Sequence, residues 1–444
     1  MWPLEKSKRA IIVGGSLAMA YTQLTTSPAT VQFARDLGGT GFHIGILGAL
    51  PVGLIFMQVI AALAVRRLNY RKPVWMAVSI VQRLVFLPAA LGPWLLPNVS
   101  NAFWLWLLVT LTFANHALLH FGNPLWLSWM GDYLPHRGLS SFWGARHSSQ
   151  QWTAALTLLV NSLFFLHATS DIRAGFAGII VLGCVLGLID VLLFLRIEEP
   201  PVRHHPSPRV WDVLASPFRE RRFRSFIEFT CFWHMAAMVG APFISMYLLE
   251  VVGLDLFRVL ILWTISWVGG ALLSRQLGNW VERFGQRPVL ILCVAFKSVN
   301  MVAMLLCPND PTTAFWMLAP VFAADAFLNA GITIANNGFL IKNSPRENRT
   351  MFVAAGTAYA GLVGGATSIT AGVLLAITDG WSLHFLGGMW NNFHALFIVS
   401  IVLRLAAVGL AVRVFEPSST GAREVVLTFA TATRQRVRRW LRAA

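Results

Sequence analysis

Arg83, His116, His120, His234, Lys297, Asp325 and Arg404 lie deep inside long apolar runs, and Asp190 and Glu228 lie nearer the ends of such runs. An ionisable group in hydrocarbon is costly, so each of these should face a partner, a watery cavity or a solute path. Helical spacing sorts them. His116, His120 and Asn123 stand at i, i+4 and i+7, and Asp325, Asn329 and Asn336 at i, i+4 and i+11, so each set shares one helix face. Imidazoles and a carboxylate placed this way can hydrogen-bond a polar solute or carry a proton. The bland alternative is hydrogen bonding that glues helices together. His116-x-x-x-His120 also has metal-ligand spacing. There is no second His box nearby and no HExxH, so a membrane-embedded metalloenzyme is a remote reading, and neither metal nor cofactor is expected. Arg83, Lys297 and Arg404 need inward-facing partners. Asp325 sits at the depth of Lys297 and Arg404, and Asp190 and Glu228 are further candidate partners. Gln23, in the polar stretch 21–28, and His234, followed by Pro242 and Ser245, are the best remaining hydrogen-bonding groups.

The elements that must hold these residues follow from composition. Of 444 residues, 56% are hydrophobic and only 12% charged, about half the charge of a soluble domain. Twelve spans are expected, near 11–33, 42–65, 73–96, 102–127, 143–167, 174–196, 225–250, 256–277, 288–307, 314–341, 351–377 and 391–413, each long enough to cross a ~30 Å hydrocarbon core. The net charge of +16 is not a nucleic-acid signature, because the basic residues fill short breaks between spans. One set of loops holds nearly all of them; the opposite set holds Arg35, Arg173 and Arg258. That bias places both termini in the cytoplasm and the chain in a plasma membrane, the inner membrane of a bacterium. Residues 1–196 and 225–413 form two bundles, joined by a polar, Pro-rich linker (197–224) and followed by a basic tail (414–444) suited to anionic lipid. The cysteines Cys184, Cys231, Cys293 and Cys307 form no CxxC pair and predict neither a disulfide frame nor a zinc site.

The halves repeat. Pro73-Val74 after Arg71-Lys72 corresponds to Pro288-Val289 after Arg287, an offset that Gly38 and Gly253 share. Phe113-Ala-Asn-His-Ala117 then aligns with Phe322-Ala-Ala-Asp-Ala326, which places His116 on Asp325 and His120 on Asn329. Two six-helix repeats with a site between them at mid-membrane is a transporter architecture.

Between two spans lies Gly278-Asn-Trp-Val-Glu282-Arg283-Phe-Gly285-Gln-Arg287-Pro, read as a cytoplasmic hairpin in which Gly285 permits the reversal. This G-x-x-x-[DE]-R-x-G-x-[RK] pattern resembles the loop signature of the major facilitator superfamily, and the repeat extends the resemblance over about residues 10–413. The resemblance implies an all-α integral membrane protein of 12 transmembrane helices in two pseudo-symmetric six-helix bundles. Spans 1, 4, 7 and 10 would surround a central cavity, which would bring the two polar stripes together. It also implies structural or gating roles for Gly278, Glu282, Arg283, Gly285, Arg287 and Arg146. Pro135-His-Arg-Gly138 followed by Phe142-Trp-Gly-Ala-Arg146 looks like the family's 4–5 loop. The first-half loop, residues 65–72, lacks the acidic residue and the second glycine. Span 4 has no early arginine and span 5 no Gly-Pro pair, which weakens a drug-exporter assignment.

The expected function is secondary transport of a small organic solute by alternating access, with proton coupling through Asp325 and the histidines and with the monomer as working unit. A transporter-like ligand sensor or a lipid or amphiphile translocator is the alternative. No nucleotide-binding loop is present, which argues against ATP-driven pumping.

Overall fold

A computed structural model describes residues 3–65, 68–135, 139–167, 171–201, 215, 218–308, 310–343, 349–385 and 388–416. Proline and glycine punctuate its rods. α1 runs Leu4–Thr25, breaks at Thr26 and Ser27, and resumes as Pro28–Asp36. α2 comprises Gly41–Gly53, a tighter turn Leu54–Phe56 just past Pro51, and Met57–Val65. α3 is Lys72–Leu84 with Leu87–Leu95, α4 Asn101–Tyr133, α5 Leu139–His167 and α6 Ile172–Leu193. The second half repeats the order. α7 is Arg221–Met238 and Ile244–Glu250, joined through the turn Ala241–Phe243 that contains Pro242. α8 is Leu256–Phe284, α9 Gln286–Phe296 with Ser298–Leu305, α10 Pro311–Asn343, α11 Arg349–Ile377 and α12 Asn392–Arg413.

These are the twelve expected rods. Nine stretches of the described residues are long and apolar enough to cross a membrane by length and composition. α8 contributes the apolar stretch Leu256–Leu272, whereas α1 and α5 fall short, and both of these contribute residues to the cavities described below. A helix that lines a polar cavity cannot be apolar all round.

Two expectations need correction, and one feature is new. The segment 278–288 is not a loop: α8 continues through it to Phe284, and the chain reverses at Gly285 alone, at φ 94°. No L side chain adopts that angle comfortably. α4 likewise outlasts its apolar run, reaching Tyr133. The connection between α11 and α12 carries a small antiparallel hairpin, β1 (Ser382–Phe385) with β2 (Gly388–Asn391). The side chains of Gly278 and Glu282, most of the linker and the tail from 417 onward lie outside the described residues.

The repeat is visible in the backbone. Gly38 and Gly253 both end the first rod of their half at positive φ, 86° and 73°. The halves meet along two seams, α2 against α11 and α5 against α8. Glycines set the first seam: a Cβ on Gly361 would lie 2.2 Å from the Val52 carbonyl oxygen, and one on Gly45 2.8 Å from the Gly372 Cα. Ser368 donates across it to the Gly45 carbonyl at 2.8 Å. Close backbone approach of this kind is how helices associate without a hydrophobic driving force.

Candidate functional site

Two cavities flank α1 and α4. The first, about 320 Å³, lies between the halves. Gln23, Ser27 and His116 line it from one half, and Ser245, Trp263 and Trp267 from the other. His116 is 5% exposed, and neither ring nitrogen has a hydrogen-bond partner among the described residues. An imidazole buried without partners carries a desolvation cost that a ligand or water would relieve. Its neighbour one turn on is committed elsewhere. His120 Nε2 lies 2.8 Å from the Pro51 carbonyl oxygen, and Nδ1 lies 3.4 Å from Gln58 Nε2. It therefore donates to the α2 carbonyl and accepts from the amide. The hydroxyls of Thr22, Thr25 and Thr26 bond back to their own helix.

The second cavity, about 270 Å³, lies within the first half. Arg83, Asp190, Arg146, Gln150, Asn123 and Trp126 are among its lining. Arg83 donates to Asp190 Oδ2 at 2.8 Å, and its guanidinium lies 4.5 Å from the Tyr21 ring centre. Tyr21 is held in turn, donating to the Gln82 carbonyl and accepting from Asn115. The stripe His116–His120–Asn123 is thus split: its ends serve different cavities, and its middle is a brace to α2.

In the second half, Asp325 accepts from Lys297 and, at 2.6 and 3.1 Å, from Asn300 and Asn329. Arg404, 1% exposed, does not reach the carboxylate and donates to the Lys297 carbonyl at 2.9 Å. Arg83 and Lys297 correspond between the halves, yet the acid comes from α6 in one and α10 in the other.

One expectation fails. Glu228 is no buried partner: its side chain is half exposed and pairs with Arg224 one turn away. α7 begins at Arg221, so Glu228 falls in its outward-facing second turn. His234 sits against Gly364 of α11, its Nδ1 2.9 Å from the Thr230 carbonyl. Arg283 packs over the adjacent Phe284 ring.

Sequence reasoning missed Glu199 and Glu416. Glu199 accepts from the backbone N–H groups of Arg71 and Lys72 at the start of α3, and Glu416 from those of Gln286 and Arg287 at the start of α9. Arg71 also donates its guanidinium to Glu199 and Asp132. The signal was present: Glu199-Pro200 and Glu416-Pro417 nearly repeat the offset of the other matched pairs. Trp263, Trp267 and Gln150 carried no such signal.

The family model of the Major Facilitator Superfamily matches residues 11–368. The chain belongs to that superfamily. No curated protein matches it by sequence. Solved structures share the fold at low identity. A mutant of the nucleoside transporter NupG is 15% identical, with TM-score 0.70 over 92% of this chain and all of that one. A D-xylose–proton symporter is 14% identical, TM-score 0.69, over 92% of this chain and 97% of that one. The xylose transporter XylE from E. coli, in a partially occluded inward-open conformation, is 12% identical, TM-score 0.67, over 94% and 99%. The chain is a multi-pass membrane protein and a secondary transporter of small solutes rather than an enzyme.

Proposed function

We propose that the cavity between the halves is the solute site. The observation that carries this is His116, buried and unpartnered at the wall of a chamber to which both halves contribute. Gln23 and Ser245 add polar contacts, and Trp263 and Trp267 offer flat apolar faces. Such a chamber suits a polar solute with one apolar face. The nucleoside and xylose transporters among the structural neighbours carry solutes of that character.

Alternating access then requires the halves to rock about the two seams. Asp325 is the coupling residue in this reading. Its pairing with Lys297 neutralises both charges in the membrane, and a proton or an approaching solute would break the pair. Both termini lie in the cytoplasm of a plasma-membrane protein, the tail rests on anionic lipid, and the monomer is the working unit.

A thermal-shift screen of the purified protein against sugars, nucleosides, amino acids and organic acids tests the site. A true ligand at a hundred times its dissociation constant adds ~2.7 kcal/mol of stability. The shift should vanish in His116→Ala and shrink in Gln23→Ala. A shift that survives both variants moves the site elsewhere.

A further inference from the structure

The cavity within the first half is electrostatically incomplete. Two guanidinium groups line it, Arg83 and Arg146, with one carboxylate, Asp190. Asp190 is taken by Arg83. Arg146 has no carboxylate within ion-pair distance among the described residues; its single side-chain hydrogen bond there is to Gln150 Oε1 at 3.3 Å. Its Nε is buried and unpartnered.

Yet Arg146 is firmly placed. Its guanidinium lies 4.6 Å from the Trp126 ring centre and 5.5 Å from that of Trp143. It also lies along the bare backbone of α1, where a Cβ on Gly15 would come within 2.7 Å of Nε. Two rings in contact with each other on one side, and a glycine beside it, leave its remaining N–H groups for something in the cavity. A half-buried arginine that shares its one nearby carboxylate, Asp190, with Arg83 is left only partly neutralised. Planar N–H pairs on a guanidinium match the two oxygens of a carboxylate or a phosphate.

We propose that this cavity binds the anionic group of the transported solute, with Arg146 as the residue that reads it, so that the substrates are small organic acids. The proposal rests on the transport reading above and deepens it. The cavity is a second station on the solute's way. Thr22 and Asn123 line it one and seven residues along α1 and α4 from Gln23 and His116 of the chamber between the halves. Seven residues of helix span ~10 Å.

The test uses matched pairs on the purified full chain: glucuronate with glucose, benzoate with benzamide, and ribose 5-phosphate with ribose. Binding is read by thermal shift, and transport by uptake into liposomes. At least one acid should stabilise the protein where its neutral partner does not, and the pairs tell carboxylate from phosphate. Arg146→Gln should weaken that acid about tenfold or more. Arg146→Lys, which keeps the charge but loses the fork, should fall between, and it serves as the test if Arg146→Gln fails to fold. Equal binding of acid and neutral partner, unchanged acid affinity in both variants, or no acid bound overturns the proposal. Uptake of a neutral solute lost in His116→Ala but intact in Arg146→Gln would also sink it while sparing the transport reading. Acid binding that needs Arg146, without uptake of any solute, would sink the transport reading instead.

Discussion

At the residue scale, what matters is how each intramembrane charge is satisfied. Asp325 collects three donors, from Lys297, Asn300 and Asn329. Removing its charge strands Lys297 in hydrocarbon, so Asp325→Asn should cost ~3–5 kcal/mol of stability. The double variant Asp325→Asn with Lys297→Met should recover much of that. Uptake driven by a proton gradient separates structure from coupling. If the stable double variant still accumulates solute against a gradient, Asp325 is not the coupling residue. Arg83 and Asp190 form the counterpart pair in the first half, but with Tyr21 stacked on the guanidinium and itself held by Gln82 and Asn115. Those added contacts fix the Arg83 guanidinium from more than one side, which suits positioning more than switching.

At the element scale, two devices tie helices together. The carboxylates of Glu199 and Glu416 sit on the free N–H groups that begin α3 and α9, where the helix dipole favours negative charge. Glu199→Gln also weakens the hold on Arg71, which is 1% exposed. Its expected cost is ~1–3 kcal/mol, seen as a lower melting temperature of the detergent-purified protein. A melting temperature equal to wild type would show that Asp132 and Ser128 alone satisfy Arg71. The α2–α11 seam is the second device. Gly361→Ala places a methyl group against the Val52 carbonyl and should cost ~1–3 kcal/mol. Gly409 on α12 meets nothing within 4 Å, so Gly409→Ala is the control that should leave stability unchanged.

At the scale of the whole molecule, the end opposite the termini is bridged. Arg35, just before the end of α1, forms an ion pair with Glu250 at the end of α7. A Cβ on Gly48 would lie 2.5 Å from Pro242, and one on Gly41 2.7 Å from Leu375. The structure is thus closed at that end. The Arg35–Glu250 pair is about one-third exposed and is worth ~1 kcal/mol at most. That is still enough to shift a two-state population several-fold. Arg35→Glu or Glu250→Arg alone should favour the state open at this end, and the double swap should restore closure. Spin labels at Leu37 and Val251 would report the separation; unchanged distances in both single variants would remove the pair from the gate.

The twelve rods, the two-fold repeat, the polar break in α1 and the depth of each charge were legible in the chain. Hydrophobic run length and the cost of charge in lipid depend on local composition alone. Even the α3 and α9 caps had left a trace, because a repeated Glu-Pro at matching positions is itself periodic. Which partner each charge takes was not legible. Asp190 answers Arg83 from more than a hundred residues away, Asp325 takes Lys297 and leaves Arg404 to a carbonyl, and Glu228 turns outward. Helix period says which residues share a face; only packing says what that face meets. For the same reason one stripe on α4 came apart into one cavity's wall, a brace and a second cavity's wall. Arg146 passed for a structural or gating residue next to the 4–5 loop until tertiary structure set it against two tryptophans and a glycine, with no carboxylate of its own in ion-pair contact.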